Sequence, residues 1–381
     1  MTYGLREDEE LGRTVERLAV RESVDPRVRA IADSIVAGLP TDHVTERLRK
    51  LHAYCLDHIE DGSEAFGPRV LTSGSGQRTA AFLHLAHILR IPVETTLART
   101  KTGATWPSEG GRLEAWGGAL LRAETENGVR WLTVSERYAD FDWLPEVMRG
   151  QETVRLVQGL PRERIPPAEV RDAFVVQGTV DVDDDGTVQA SLELRFRDRP
   201  AMAFRAVRAR TDDSEWRRFL EQGLLVSSFP SWHTESLETE GGVGRDGELV
   251  VRVRGSAPFW LDGRGSRRCP FTINLRPYVA LESRQTPLVV ETPTGVHLQL
   301  RVRGGRGAKP RAPGPARTVE TDGGIFRVAD RMEGDTLVLD RMTHFAPQRV
   351  SAEAYPAWAT TLREGLAIVE REFSVTLPAR R

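Results

Sequence analysis

The sequence predicts an α+β domain followed by a mainly antiparallel β-sandwich region. Three observations carry this expectation. Between Pro26 and Arg90 apolar residues recur at helical spacing. From Val93 onward β-branched residues take over in short runs. Beyond Val154 such runs alternate with Gly-containing turns, the pattern of a sandwich, until a terminal helix.

Residues 1–24 form a charged N-terminal extension. Asp25-Pro26 pairs a cap with Pro in the first turn, and the helix it opens carries Val28, Ile31, Ile35 and Val36 on one stripe. Pro40 ends it, and Thr41-Asp42 opens a second helix. There Val44, Leu48, Leu51, Cys55 and Ile59 share a face, so Cys55 is expected in the core as an inert thiol. In the stretch LTSGSGQRTAAFLHLAHILR (71–90), the turn Ser73-Gly74-Ser75-Gly76 runs into an apolar helix. Glycine allows a sharp entry, and Ser75 can accept from the first free helix N–H groups. A strand at Val93–Thr100 follows, then a loop at 102–112. Strands at Leu113–Glu124 and Val129–Ser135 are joined across Asn127-Gly128, a hairpin signal.

The second half reads as strands with few helices. Arg171–Val182 and Thr187–Phe196 flank the turn Asp183-Asp184-Asp185-Gly186. A short helix is expected at Ser214–Gly223 and strands at Glu248–Arg254, Phe271–Leu281, Leu288–Thr292 and His297–Arg303. Gly304–Arg317 is a loop by composition, and Thr318–Asp330 a hairpin around Asp322-Gly323-Gly324. Strand Thr336–Met342, helix Ala352–Phe373 and strand Ser374–Leu377 complete the pattern. The expected domains are the extension 1–24, the α+β domain 25–150, a β-rich domain 151–284, and a C-terminal sandwich domain with its helix, 285–381.

Composition narrows the function classes. The formal net charge is -2, which gives no global positive field for nucleic acid or an acidic membrane. The only lysines are Lys50, Lys101 and Lys309, so arginine carries nearly all the positive charge. Two cysteines, Cys55 and Cys269, form neither a disulfide framework nor a metal cluster. The first residues, MTYGLREDEELGRT, lack the apolar core of a signal peptide, and no apolar run has the length of a membrane span. The compartment stays open between cytoplasm and periplasm.

The turn at 73–76 aims residue 77 or 78 at the positive end of a helix, where a thiolate nucleophile is stabilised. Gln77 and Arg78 stand there. On these residues, and on the order of helices and strands around them, the segment from Val28 to about Gly150 resembles the bacterial transglutaminase-like domain, which has a papain-like α+β fold. Phe66-Gly67-Pro68 resembles that family's approach to its nucleophile turn. The region from about Pro166 to Leu377, with SRQTPLVVETP (283–293) and the helix beginning near Tyr355, resembles the β-rich part that follows this domain in multidomain bacterial proteins. The resemblance implies a further β-rich domain ahead of residue 1, absent from this chain.

The family's catalytic residues do not carry over. Its Gly-x-Gly-Asp-Cys pattern falls on Gly74-Ser75-Gly76-Gln77-Arg78, with Arg78 in the nucleophile's place. The strand 116–121 puts Gly118 where the His would be, and the strand 131–134 puts Thr133 where the Asp would be. Acyl transfer by such a triad needs a thiolate, a base and an orienting acceptor, and all three are missing. The vestigial site thus comprises Ser75, Gln77, Arg78, Gly118, Thr133 and Glu136. A cation at a helix N-terminus is disfavoured by about 0.3–1 kcal/mol. Arg78 is therefore expected to find an acid, Glu114 or Glu136, or else to hold a bound anion.

Other candidates are weaker. His84 and His87 are three apart on the core helix, but no third metal ligand is placed; His52 and His58 sit on the preceding helix. Asp181-x-Asp183-x-Asp185-Gly186 starts like a calcium loop but has Leu192 where the bidentate Glu belongs. Ser73 and Ser75 lack a base. Trp116, Trp131, Tyr138, Phe141 and Trp143 cluster around the hairpin, either as core or, in the loop 140–143, as an anchor for a partner.

The expected function is a catalytically inactive transglutaminase-like protein that binds or scaffolds a protein or peptide partner, without cofactor or metal, nucleic acid or membrane insertion. One alternative is a hydrolase or acyltransferase using other residues of the same cleft. Another is a purely structural part of a larger multidomain envelope protein.

Overall fold

The computed structural model describes residues 25–103, 116–167, 171–242, 245, 247–258, 260–262, 264–291 and 294–378. Two compact units divide the chain, Met1–Glu169 and Val170–Arg381. Both combine helices with mainly antiparallel strands, so the protein is α+β.

In the first unit, helices α1 (Pro26–Ile35), α2 (Val44–His58), α3 (Gly67–Ser73) and α4 (Arg78–Ile88) precede most of the sheet. Asp25 caps α1 as its sequence implies, accepting from Arg27 N at 2.8 Å. Two short parallel strands, β1 (Glu60–Asp61) and β2 (Ser75–Gly76), link the end of α2 to the turn before α4. The main sheet holds β3 (Val93–Ala98), β4 (Gly118–Thr125), β5 (Gly128–Leu132), β6 (Glu152–Arg155) and β7 (Arg162–Arg164), in the order β5-β4-β3-β6-β7. Gly128, at φ 98°, makes the expected hairpin turn between β4 and β5. The unit runs past residue 150 because β6 pairs with β3, and β7 with β6. Leu48, Leu51, Cys55, Phe82, Leu85, Leu121 and Leu132 are buried together, so α2 and α4 share one core with the β4–β5 hairpin.

In the second unit, β8 (Phe174–Val182), β9 (Val188–Phe196), β10 (His233–Glu240) and β11 (Leu249–Ala257) form one half of a nine-stranded sheet. The short β12 (Ser266–Arg267) and β13 (Leu288–Val290) follow. Next come β14 (Thr294–Gly304), β15 (Lys309–Pro310), β16 (Arg317–Thr321), β17 (Gly324–Val328), β18 (Arg331–Glu333) and β19 (Thr336–Phe345). The path is β10-β11-β9-β8-β14-β19-β17-β16, with β18 also on β19. All its pairs are antiparallel except β8 with β14, which run parallel with Gly178 opposite Leu300. Strands β20 (Gln348–Val350) and β21 (Phe373–Thr376) pair with β13 and with β12 and β15.

Several expectations change here. The strands expected in a sandwich lie mostly in this one sheet, with separate pieces of two and three strands. The expected boundary at 284/285 falls between the two halves of the sheet, which hydrogen bonds join across β8 and β14. Helix α5 (Asp198–Arg208) stands in the stretch between Phe196 and Ser214 to which the sequence reading assigned no element. Its Pro200 lies in the first turn, a helix start signal. The short helix at 214–223 is α6 (Asp213–Leu220), with a capping box between Asp212 and Glu215, followed by a π-turn at Glu221–Leu225. The expected strand Phe271–Leu281 is a loop with a 3₁₀ turn at Arg276–Val279, where Pro277 has no N–H to give a ladder.

Helix α7 (Tyr355–Val369) packs Trp358, Leu362 and Leu366 against Phe326 and Phe345 of the sheet. Its C-terminal end is held from β19. Arg341 donates to the carbonyls of Val369 (2.8 Å) and Arg371 (2.6 Å) and pairs with buried Asp330 at 2.7 Å. Gly365 of α7 lies so close to Phe326 that an added Cβ would enter the ring.

Gly365→Ala sets two effects against each other. Alanine favours a helix interior by about 1 kcal/mol over glycine, whereas overpacking a core costs about 1–3 kcal/mol. Phe326 is fully buried and an added Cβ would collide with its ring, so the variant is expected to lower the urea midpoint of the second unit. A midpoint equal to wild type or higher contradicts this packing.

Candidate functional site

The turn at 73–76 is built by local chain geometry. Helix α3 ends on Gly74, at φ 71°, whose N–H donates to Val70 O at 2.9 Å. Gly76, at φ 142°, lies against Glu64 O and Val70, where a side chain would collide. Gln77 N donates to Glu64 O at 2.7 Å, and α4 then starts with Arg78 as its first residue. Ser75 does not cap the helix. Its N–H and carbonyl are both bound by the Ser73 hydroxyl, and Gln77 occupies the cap position without a side-chain cap bond. On the approach, Glu64 Oε1 accepts from Phe66 N at 2.8 Å, a bond that holds the Glu64 carboxyl below its ordinary range.

Arg78 is buried, and its guanidinium is bound by protein. Nε donates to Ile59 O at 2.9 Å, and Nη1 donates to Ser135 O at 3.3 Å and to Asp61 Oδ1 at 2.8 Å. The acid is thus Asp61 of β1, neither of the two expected. Glu136 is exposed and makes no pair with Arg78; Glu114 lies outside the described residues. The parallel β1–β2 pairing, with Asp61 opposite Gly76, brings Asp61 to the helix start. Two-residue strands leave no periodicity in sequence, so this partner had no sequence signal.

Gly118 and Thr133 do not converge on Arg78. Gly118 starts β4 opposite Ala98, and an added Cβ there would collide with Met148. Thr133 is buried, with its hydroxyl 2.9 Å from Ser135 Oγ and its carbonyl 3.1 Å from His52 Nε2. Among the described residues no hydrogen bond joins Arg78 to Gly118 or Thr133; the connection to Thr133 passes through Ser135.

The remaining candidates resolve into structural roles. Cys55 is fully buried on α2, and burial pushes its thiol well above its ordinary pKa even though Arg78 is near enough to oppose the shift. Cys269 is buried in the second unit and pushed up to about 12 by burial. Both are protonated thiols at neutral pH, not nucleophiles. His84 is buried and His87 exposed, so the pair points two ways; among the described residues no cluster could hold a metal ion. In the Asp183–Gly186 turn, Asp184 Oδ1 accepts from Gly307 N at 2.8 Å and Ala308 N at 3.1 Å, anchoring the loop after β14. The loop aromatics Phe141 and Trp143 are buried, with Phe141 edge-on to His52 at 5.4 Å and faced by Arg49 at 4.7 Å. Both pack inside the first unit. Phe66, beside the turn, is the aromatic left 45% exposed.

Arg78→Ala removes two carbonyl bonds and the ion pair. Leaving buried acceptors unpaired costs about 1–3 kcal/mol, whereas a pair with a mostly exposed carboxylate contributes less than about 1 kcal/mol. Asp61 is 80% exposed, so the urea midpoint of the first unit is expected to fall clearly in Arg78→Ala and only slightly in Asp61→Ala. Equal losses contradict the ranking. His84 has a pKa lowered by burial and then by His87, and its Nε2 has no hydrogen-bond partner. The unfolded chain, with a histidine near 6.5, therefore binds the extra proton first, and stability is lost as pH falls below about 6.5. Urea midpoints at pH 7.5 and 5.5 are expected to differ less in His84→Gln than in wild type.

No protein-family model matches the sequence, and no curated protein matches it. The chain is similar in fold to a crystal structure from Parabacteroides distasonis described as that of a "putative protease". The TM-score is 0.54 at 12% identity, with 96% of this chain and 58% of that one covered. The chain thus spans under two thirds of that neighbour's length, and at this identity the likeness shows fold alone.

Proposed function

We propose that the first unit is a catalytically inactive, transglutaminase-like module of papain-like build, and that the protein acts by binding or scaffolding a protein or peptide partner. One observation carries the loss of chemistry. The first residue of α4, where a nucleophile would meet the helix dipole, is Arg78, held by Ile59 O, Ser135 O and Asp61. A guanidinium so engaged does not attack an acyl group. The neighbour's description as a protease would need a nucleophile with a base in reach. Here Ser135 Oγ is engaged by Thr133, and His52 Nε2 by a backbone carbonyl. Binding is supported by Phe66, an exposed aromatic where an extended peptide would cross the old turn.

Two measurements test this reading. The intact chain, incubated with a glutamine-containing protein and a fluorescent primary amine, and separately with a fluorogenic peptide amide, is expected to give no turnover. Turnover proportional to protein concentration overturns inactivity. A displayed peptide library selected on the intact chain is expected to yield peptides whose affinity falls at least tenfold in Phe66→Ala at unchanged unfolding midpoint. Failure to enrich any peptide, or affinity untouched by the substitution, overturns the binding role of this surface.

A further inference from the structure

The second unit contains a cavity of about 500 Å³, within the range of small-ligand sites. Its walls are of two kinds. Phe174, Leu224, Phe271 and Val296 give an apolar side, with Phe174 and Phe271 set edge to face at 6.0 Å. The other side carries Arg267, half-buried on β12.

Among the described residues Arg267 has no acid partner. Its one hydrogen bond goes from Nη2 to Ser228 O at 3.3 Å, a carbonyl that also accepts from Trp260 Nε1 at 3.0 Å. Burial alone acts on this guanidinium, lowering its pKa with no opposing charge. Its placement is rigid. β12 pairs with β21, placing Arg267 opposite Phe373. The turn before it is fixed by Asp262 Oδ1, which accepts from Arg264 N at 2.9 Å and Ser266 N at 2.7 Å. That turn passes through Gly265 at φ 75°, where a side chain would strike Val375 O.

We propose that this cavity binds a small monocarboxylate with an aromatic or aliphatic tail. The planar fork of Arg267 takes the carboxylate, and the apolar wall takes the tail. Arg268, Asp262 and Glu372 also line the cavity; with Arg267 the two cations balance the two carboxylates, so a single negative charge on the ligand is opposed less than the two of a phosphate monoester. The inference does not depend on what the first unit does.

Calorimetric titration of the full chain tests it with phenylacetate, 3-phenylpropionate and octanoate as probes. Phenethyl alcohol, phenethylamine and phenyl phosphate serve as controls. The carboxylates are expected to bind saturably and at least tenfold more tightly than each control, and Arg267→Gln to lose at least tenfold. Leu224→Trp, which fills the apolar side while keeping the guanidinium, is expected to abolish binding, so the site remains testable if Arg267→Gln fails to fold. Absence of saturable carboxylate binding at millimolar concentration overturns the proposal. So does equal affinity for the alcohol, tighter binding of phenyl phosphate, or unchanged affinity in a folded Arg267→Gln or Leu224→Trp variant.

Discussion

A guanidinium taken out of water must be given acceptors, because it cannot shed its proton and has five N–H groups to satisfy. Both units depend on that constraint. Arg47, Arg78, Arg122, Arg205 and Arg341 are all buried. Four of them reach backbone carbonyls at the ends of other elements. Arg47 reaches Thr41 and Leu89; Arg78 reaches Ile59 and Ser135; Arg341 reaches Val369 and Arg371. Arg205 of α5 holds the loop before β11 through the carbonyls of Gly241, Arg245 and Gly247, at 2.6 to 3.0 Å. Arg122 is the exception, ringed by Glu94, Glu124 and Glu163. In a chain with three lysines, arginine does by directed hydrogen bonds what point charges could not, since its flat fork engages several carbonyls at once.

Arg78 shows how such a tie can occupy a position whose backbone suits catalysis. The glycines at 74 and 76, the tight turn and the helix start all produce a site of positive potential. Placing a cation there works against the helix dipole by about 0.3–1 kcal/mol. Hydrogen bonds from a charged group contribute about 1.5–3 kcal/mol each, so the two carbonyl acceptors, Ile59 and Ser135, outweigh the dipole. The same turn geometry thus serves as a brace between α2, α4 and the segment after β5.

Local features of this fold were legible in the sequence, and non-local ones were not. The caps and hairpins came from side chains acting within a few residues: Asp25 before Pro26, Gly128, Gly186 and Gly323. Arg78 at the head of the core helix followed from the same kind of signal. Asp61 as its partner did not, since it depends on a two-residue parallel bridge between segments with no strand pattern. Helix α5 was missed because Pro200 has opposite meanings in a first turn and in a helix interior. The joining of two groups of strands into one sheet was also hidden. Each half is made of near neighbours in sequence, and nothing in either half names the other.

The parallel contact between β8 and β14 has a consequence for how the chain is made. Gln177 bonds Gln299 across it, 122 residues apart. Strands β8 to β11 can pair among themselves, β8 with β9 and β10 with β11 as hairpins, while the ribosome is still adding residues, but the free side of β8 has nothing to pair with until residue 304 is out. For that interval the nascent chain carries an open strand edge, the feature most prone to pairing with a neighbouring polypeptide. Synthesis speed through residues 258–304, and any chaperone present meanwhile, therefore bears on yield.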